Sequence, residues 1–130
     1  MRILDTDHCI AILRLKLDLS DHVAANEELF ITSITVAELT HGANRSLHRE
    51  DNLTRLEVLF AALTVLAFDE MAGRRFGHLK AELEKKGEPL DDLDLQIASI
   101  ALEHNLPLAT NNVKHFKRVK DLKLENWMAS

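Results

Sequence analysis

The apolar residues of this chain follow two rhythms that take turns along its length. Short apolar runs of strand character fall at Ile3-Leu4, Leu29–Thr32, Thr64–Phe68 and Leu106–Thr110, with a fifth at Leu122–Leu124. Between them, apolar residues recur every three or four positions, the spacing of a helix face. Ile10, Leu13 and Leu17 mark a first helix, and Ser20 is the candidate N-cap of a short second one through Val23. "SITVAELTHGA" starts at Ser33 or Thr35, with Gly42 as its candidate stop. A long helix lies within Ser46–Leu63, carried by Leu53, Leu56, Leu59, Phe60 and Leu63. Asp69 caps a helix bearing Phe76, Leu79 and Leu83, and "EKKGEP" closes it. "DDLDLQIASIALEHN" places Leu93, Ile97 and Ile100 on one face. Strands that alternate with helices need crossover connections, so the reading is an α/β fold with a mostly parallel sheet.

The 130 residues match one domain, read as 1–130, with no linker, repeat or compositional break. Apolar residues at 46% and charged residues at 28% exclude a disordered acidic tail. Cys9 is the only cysteine, which excludes an intramolecular disulfide and a Cys-rich zinc site. The reducing cytoplasm is the expected compartment. Met1-Arg2-Ile3-Leu4 runs into Asp5 without a signal-peptide pattern, and no apolar stretch approaches the roughly 20 residues of a membrane span. Lys plus Arg is 16 and Asp plus Glu is 21, for a net charge of −5. That field repels phosphate, so holding a polyanion requires a local basic patch or a metal ion.

Ligands of open parallel sheets sit beyond the carboxyl ends of the strands. Asp5 ends the first apolar run, Glu38 lies about one turn into the helix after the second, and Asp94 opens the helix before the fourth. Thr110, Asn111 and Asn112 follow that fourth run. Each acid alone has a structural reading. Asp5 caps the next helix, Glu38 is a solvated helix residue, and Asp94 joins Asp91 and Asp92 at a helix dipole. Three carboxylates gathered at strand ends are another matter, because like charges raise one another's pKa. A divalent cation relieves that repulsion. All-oxygen ligands suit Mg²⁺ or Mn²⁺, which polarise phosphates and activate water.

"ILDTDHCIAIL", "ITSITVAELTHGA", "LDLQIASIALEHNLPLATNNVKHFKRV" and "LENW" occur in that order over nearly the whole chain. Together they resemble the PIN-domain ribonucleases, and among these the VapC toxins of bacterial toxin–antitoxin modules. The resemblance implies a three-layer α/β/α sandwich with an acidic Mg²⁺ or Mn²⁺ site. Asp5, Glu38 and Asp94 match the family's catalytic, metal-binding acids. A fourth acid is common after the last core strand; here Asn112 stands in that place, able to accept through its amide oxygen or to hold a water. Thr6, Thr110 and Asn111 are implied as residues positioning the acids or the scissile phosphate. The implied reaction is hydrolysis of RNA phosphodiester bonds, often in a transfer RNA, by metal-activated water. The implied partners are a VapB-like antitoxin and a second copy of the chain in a homodimer.

The run "KHFKRVKDLK" carries the dense positive charge that an acidic chain needs in order to hold RNA. Lys114, Lys117, Arg118 and Lys120 are its candidate phosphate contacts, set against a solvated-face reading. With no tyrosine and one tryptophan, a base-stacking platform has little support, so RNA shape is the expected basis of recognition. "LEVLFAALTVLAF" offers apolar surface for the core or for pairing. Three alternatives remain. One is an inactive PIN-like domain that only binds RNA or a partner, following from Asn112. Another is a haloacid-dehalogenase-like phosphatase, from "DTD". The third is a response-regulator receiver, matched only loosely. A Cys9–His8 nucleophile is disfavoured, because adjacent helix residues do not face each other.

Overall fold

The computed structural model describes residues 1–128. Strands β1 (Arg2–Leu4), β2 (Leu29–Thr32), β3 (Thr64–Leu66), β4 (Leu108–Ala109) and β5 (Leu124–Glu125) form one sheet in the order β3-β2-β1-β4-β5. Every neighbouring pair is parallel, with Ile3 opposite both Phe30 and Leu108. Five larger helices accompany the strands: α1 (Thr6–Leu13), α2 (Ser33–Asn44), α3 (Arg49–Ala61), α4 (Glu70–Lys85) and α5 (Asp92–His104). A single helical turn, α6 (Val113–Phe116), precedes β5.

Successive strand residues point to opposite faces, and this pleat divides the core in two. Ile3, Phe30 and Leu108 pack with Leu79, Leu95, Ile97 and Phe116 on the side of α4 and α5. Leu4, Ile31 and Ala109 pack with Cys9, Leu39 and Leu56 on the side of α1, α2 and α3. Each fully buried Leu or Ile contributes about 1.5–3 kcal/mol. Helices on both faces make the three-layer α/β/α sandwich. From β1 the chain winds outward to β3, then returns to add β4 and β5 on the other side. The winding therefore reverses between β1 and β4, where α/β sheets open a crevice.

Several helix ends differ from the sequence reading, each for a local reason. α1 stops at Leu13, so Leu17 lies outside it. Leu15 takes a left-handed φ of 56°. The Lys16 and Leu15 N–H groups donate to the carbonyls of Ala11 and Ile12 at 2.8 and 3.1 Å. This is a Schellman closure without its usual glycine. Asp18, not Ser20, caps the following 3₁₀ turn (Leu19–Asp21) by accepting the Ser20 N–H at 3.0 Å. α2 is capped by Thr32 and passes through Gly42 to Asn44. Side chains of Asn44 and Ser46 donate to the carbonyls of Thr40 and Ala43 in the last turn at 2.8 and 2.7 Å. Asp69 does cap α4, and Gly87 closes it with φ +68°.

The basic run hides α6, whose Phe116, with nearby Val119, is buried in the core. β5 begins at Leu124, two residues later than the apolar run suggests.

Leu15 is 92% exposed, so its side chain packs on little while its backbone is strained. Leu15→Gly is expected to stabilise the chain by about 0.5–1 kcal/mol in urea unfolding. A loss of stability would show that the exposed leucine makes a contact that offsets the strain.

Candidate active site

Asp5 follows β1 directly, its backbone N–H bonded to the Ala109 carbonyl at 2.9 Å. Its side chain caps α1: Oδ1 accepts the Thr6 N–H at 2.8 Å. Oδ2 accepts the Thr110 hydroxyl at 2.7 Å. The capping reading and the strand-end reading of this residue are therefore both true, and only 6% of it is exposed. Glu38 projects from the second turn of α2, and its Oε1 accepts the Thr6 hydroxyl at 2.8 Å. The Thr6 proton being spent there, the buried Thr35 hydroxyl donates to Thr6 at 3.0 Å.

The three acids that open α5 are sorted by what they touch. Asp91 caps the helix through the Leu93 N–H at 3.1 Å, and Asp92 pairs with Lys80 at 2.9 Å. Asp94 turns toward the crevice, where Asn112 Nδ2 donates to it at 3.2 Å. Asn112 thus presents a donor to Asp94, and its amide oxygen meets His115 Nδ1. Asn111 turns its side-chain oxygen away, to Asn126 Nδ2 at 3.0 Å.

Asp7 also belongs to this cluster, which the sequence reading missed. Its Oδ2 accepts the Asn111 N–H at 2.9 Å and lies 3.3 Å from the Thr110 hydroxyl. The signal was present in "DTDH", but nothing in one sequence marks a helix residue as facing a loop about a hundred positions away.

Among the described residues no lysine or arginine pairs with Asp5, Glu38 or Asp94. Burial raises Asp5 from the ordinary 3.8 to about 6, aided by repulsion from Asp7 and Glu38 and opposed by the Thr110 and Thr6 hydrogen bonds. Burial also raises Asp94 to about 6, with Asp5, Asp91, Glu38 and Asp7 adding repulsion. Both acids hold protons more tightly in the folded chain than in the unfolded one. Their contribution to stability is therefore fully present in acid, below the ordinary 3.8, and lost as pH rises through about 6.

An all-carboxylate cluster with this unrelieved repulsion fits a hard divalent cation. Among the described residues no three Asp, Glu, His or Cys side chains converge into a ready chelate. The arrangement therefore suits an ion that keeps several of its waters, as Mg²⁺ does.

The remaining candidates divide. Lys114, Lys117 and Lys120 are exposed just beyond the cluster, whereas Arg118 donates to the Pro89 carbonyl at 2.7 Å. Cys9 is buried and its thiol is pushed up to about 12, so it is a core residue and no nucleophile. Among the described residues no helix is long and apolar enough to cross a membrane.

A doubly covered parallel sheet with acids at its switch point defines a class of α/β domain with an acidic crevice. The PIN domain family model matches residues 2–122, and the chain belongs to that family. Ribonuclease VapC2 of Rickettsia felis is 40% identical over 105 residues, covering 81% of this chain and 78% of the relative. The tRNA(fMet)-specific endonuclease VapC of Salmonella typhimurium is 35% identical over 129 residues, covering 95% and 96%. The solved structure of DNA-bound VapBC from Salmonella typhimurium superposes with a TM-score of 0.90 at 35% identity, covering 98% of this chain and 99% of that one. Family membership sets aside the phosphatase and receiver readings.

Asp5→Asn removes a buried negative charge from the cluster. In EDTA at pH 7 it is expected to raise the melting temperature by roughly 4 °C, or about 1 kcal/mol. At pH 4 the gain should vanish, because the wild-type carboxyl is then protonated. Calorimetry at both pH values checks this, and a lower melting temperature at pH 7 would contradict it.

Proposed function

We propose that this chain, read as a single domain over residues 1–130, is a divalent-metal-dependent endoribonuclease and the toxin of a VapBC-type module. One observation supports the reading: at the switch point of a PIN-family sheet Asp94 feels the charge of Asp5 and Glu38, and Asp5 that of Glu38, with this repulsion unrelieved by any lysine or arginine pairing among the described residues. The related proteins are named as ribonucleases and as a transfer-RNA endonuclease, which supports RNA as the substrate.

Asp5 and Asp94 are the residues to hold Mg²⁺ or Mn²⁺, with Glu38 beside them or acting through water. When bound, such an ion neutralises charge on the scissile phosphate and lowers the pKa of an attacking water. The chain's own residues do the orienting. Thr110 aims one Asp5 oxygen and the Thr6 N–H aims the other, while the Thr6 hydroxyl holds Glu38. Asn112 restrains Asp94 by donation, which gives it an orienting role in place of a fourth acid. Lys114, Lys117, Lys120 and Arg118 supply the phosphate contacts; Arg118 spends one N–H on the Pro89 carbonyl and keeps its charge and other donors.

The partners follow from two surfaces. A groove of about 300 Å³ opens at Thr6 and Glu38 and runs between α1, α2 and α3 over Ile10, Leu13, Leu39 and Leu56. An apolar segment of a VapB-like antitoxin lying there would cover Glu38 and the Thr6 edge of the site. Val58 and Val65 are exposed on α3 and β3, and they offer the apolar face for a homodimer.

The purified chain should cleave a transfer-RNA pool with Mg²⁺ or Mn²⁺ and not with EDTA. Asp94→Asn should lower the rate at least about 100-fold while keeping the fold. No cleavage of any RNA, with metal binding also absent by calorimetry, would favour the inactive, RNA- or partner-binding reading. Lys114→Ala with Lys117→Ala should weaken RNA binding and reduce the salt slope by about 1.5–2. An unchanged slope would remove these lysines from the RNA path.

A further inference from the structure

His8 is 0% exposed, in a helix turn where an apolar residue is the default. Both of its ring nitrogens are engaged. Nε2 lies 3.1 Å from the backbone nitrogen of Trp127, and a backbone N–H only donates. Nε2 therefore carries the lone pair, and the ring proton sits on Nδ1, 2.7 Å from Asp7 Oδ1. Trp127 is itself fixed: its indole N–H donates to Glu125 at 3.0 Å, and its ring stacks on His22 at 5.1 Å. The other Asp7 oxygen holds the Asn111 N–H. The next residues along that loop reach the acids: Thr110 donates to Asp5, its oxygen accepts the Asn112 N–H at 3.0 Å, and Asn112 donates to Asp94. A continuous polar path thus runs from Trp127 through His8 and Asp7 to the loop at 110–112, and ends on both acids.

Asp7 adds a like charge beside Asp5, which is unfavourable unless the side chain does something there. We propose that His8 and Asp7 are positioning residues that lock the 110–112 loop in the orientation from which Thr110 and Asn112 aim Asp5 and Asp94 at the metal. The pair touches neither substrate nor reacting atoms; it acts through the loop. Partners of this kind usually matter about as much as the ligands they orient. The inference rests on the metal-site reading above.

Two substitutions separate positioning from simple anchoring of the Trp127 segment. His8→Asn places an amide where Nδ1 was, so it keeps the donor to Asp7 and loses the Trp127 contact. His8→Gln reaches the Nε2 position, so it keeps Trp127 and releases Asp7. Both should lower the melting temperature. His8→Gln should weaken Mn²⁺ binding about tenfold by calorimetry and lower kcat about tenfold with KM unchanged, whereas His8→Asn should stay within about twofold of wild type. Equal losses in the two variants, or wild-type Mn²⁺ affinity in His8→Gln, would overturn the proposal. Should neither variant fold, the unmutated chain decides: Mg²⁺ should shift the His8 Nδ1–H resonance of histidine-labelled protein, and an unmoved resonance at saturation would overturn it. Wild-type protein that binds no Mn²⁺ would remove the metal reading, and this inference with it, a result legible without either variant.

Discussion

Asp5 cannot leave the place that the central strand assigns it. Its N–H is tied to β4 and its side chain caps α1, so the backbone on both sides is fixed. A carboxylate held that firmly in a buried position must be satisfied where it stands. The two hydrogen bonds from Thr6 and Thr110 do this in part, yet its pKa still rises to about 6. Burial outweighs those bonds, and the neighbouring acids add to it. The site is therefore poised against ionisation by the same contacts that hold the fold together at this end of the sheet.

Topology explains why the other acids arrive at the same point. Parallel strands place all their carboxyl ends on one side, and the reversal of winding leaves a crevice between β1 and β4. Glu38 comes from α2, beside β2; Asp94 comes from the start of α5, which leads back into β4. Among the described residues, hydroxyls and amides rather than lysine or arginine touch these carboxylates. Thr6, Thr35, Thr110 and Asn112 can orient carboxylates without neutralising them. A lysine in the same place would quench the repulsion and with it the affinity for a divalent ion.

The alternation of apolar runs made the sheet legible, and strand-end position made Asp5, Glu38 and Asp94 legible as a set. Local chemistry carried that far because Asp69 caps and Gly87 stops where the sequence places them. It failed where the backbone did something its residue does not advertise. Leu15 closes α1 in a conformation usually left to glycine, so Leu17 was assigned to a helix it does not join. Gly42 reads as a stop, although the helix runs on to Asn44, and Asn44 and Ser46 close it by donating to the carbonyls of Thr40 and Ala43. The density of charge from Lys114 to Lys123 hid a helical turn anchored by Phe116. Asp7, His8 and Trp127 were invisible as a unit because their contacts span most of the chain.

On the proposed function, an acidic chain must divide attraction for RNA from chemistry. With a net charge of −5, its average field opposes association, and the carboxylates at the crevice oppose it most. The exposed lysines of 114–120 begin right after Asn112, so the proposed phosphate contacts fall at the edge of the site and not within it. Phosphates held at that edge are screened by salt; groups inside the crevice are screened much less. Substrate affinity on this arrangement is adjustable by surface charge alone. The geometry of the acids is set instead by β1, β4 and the short loop after it, and by Thr6, through hydrogen bonds that lie inside the site.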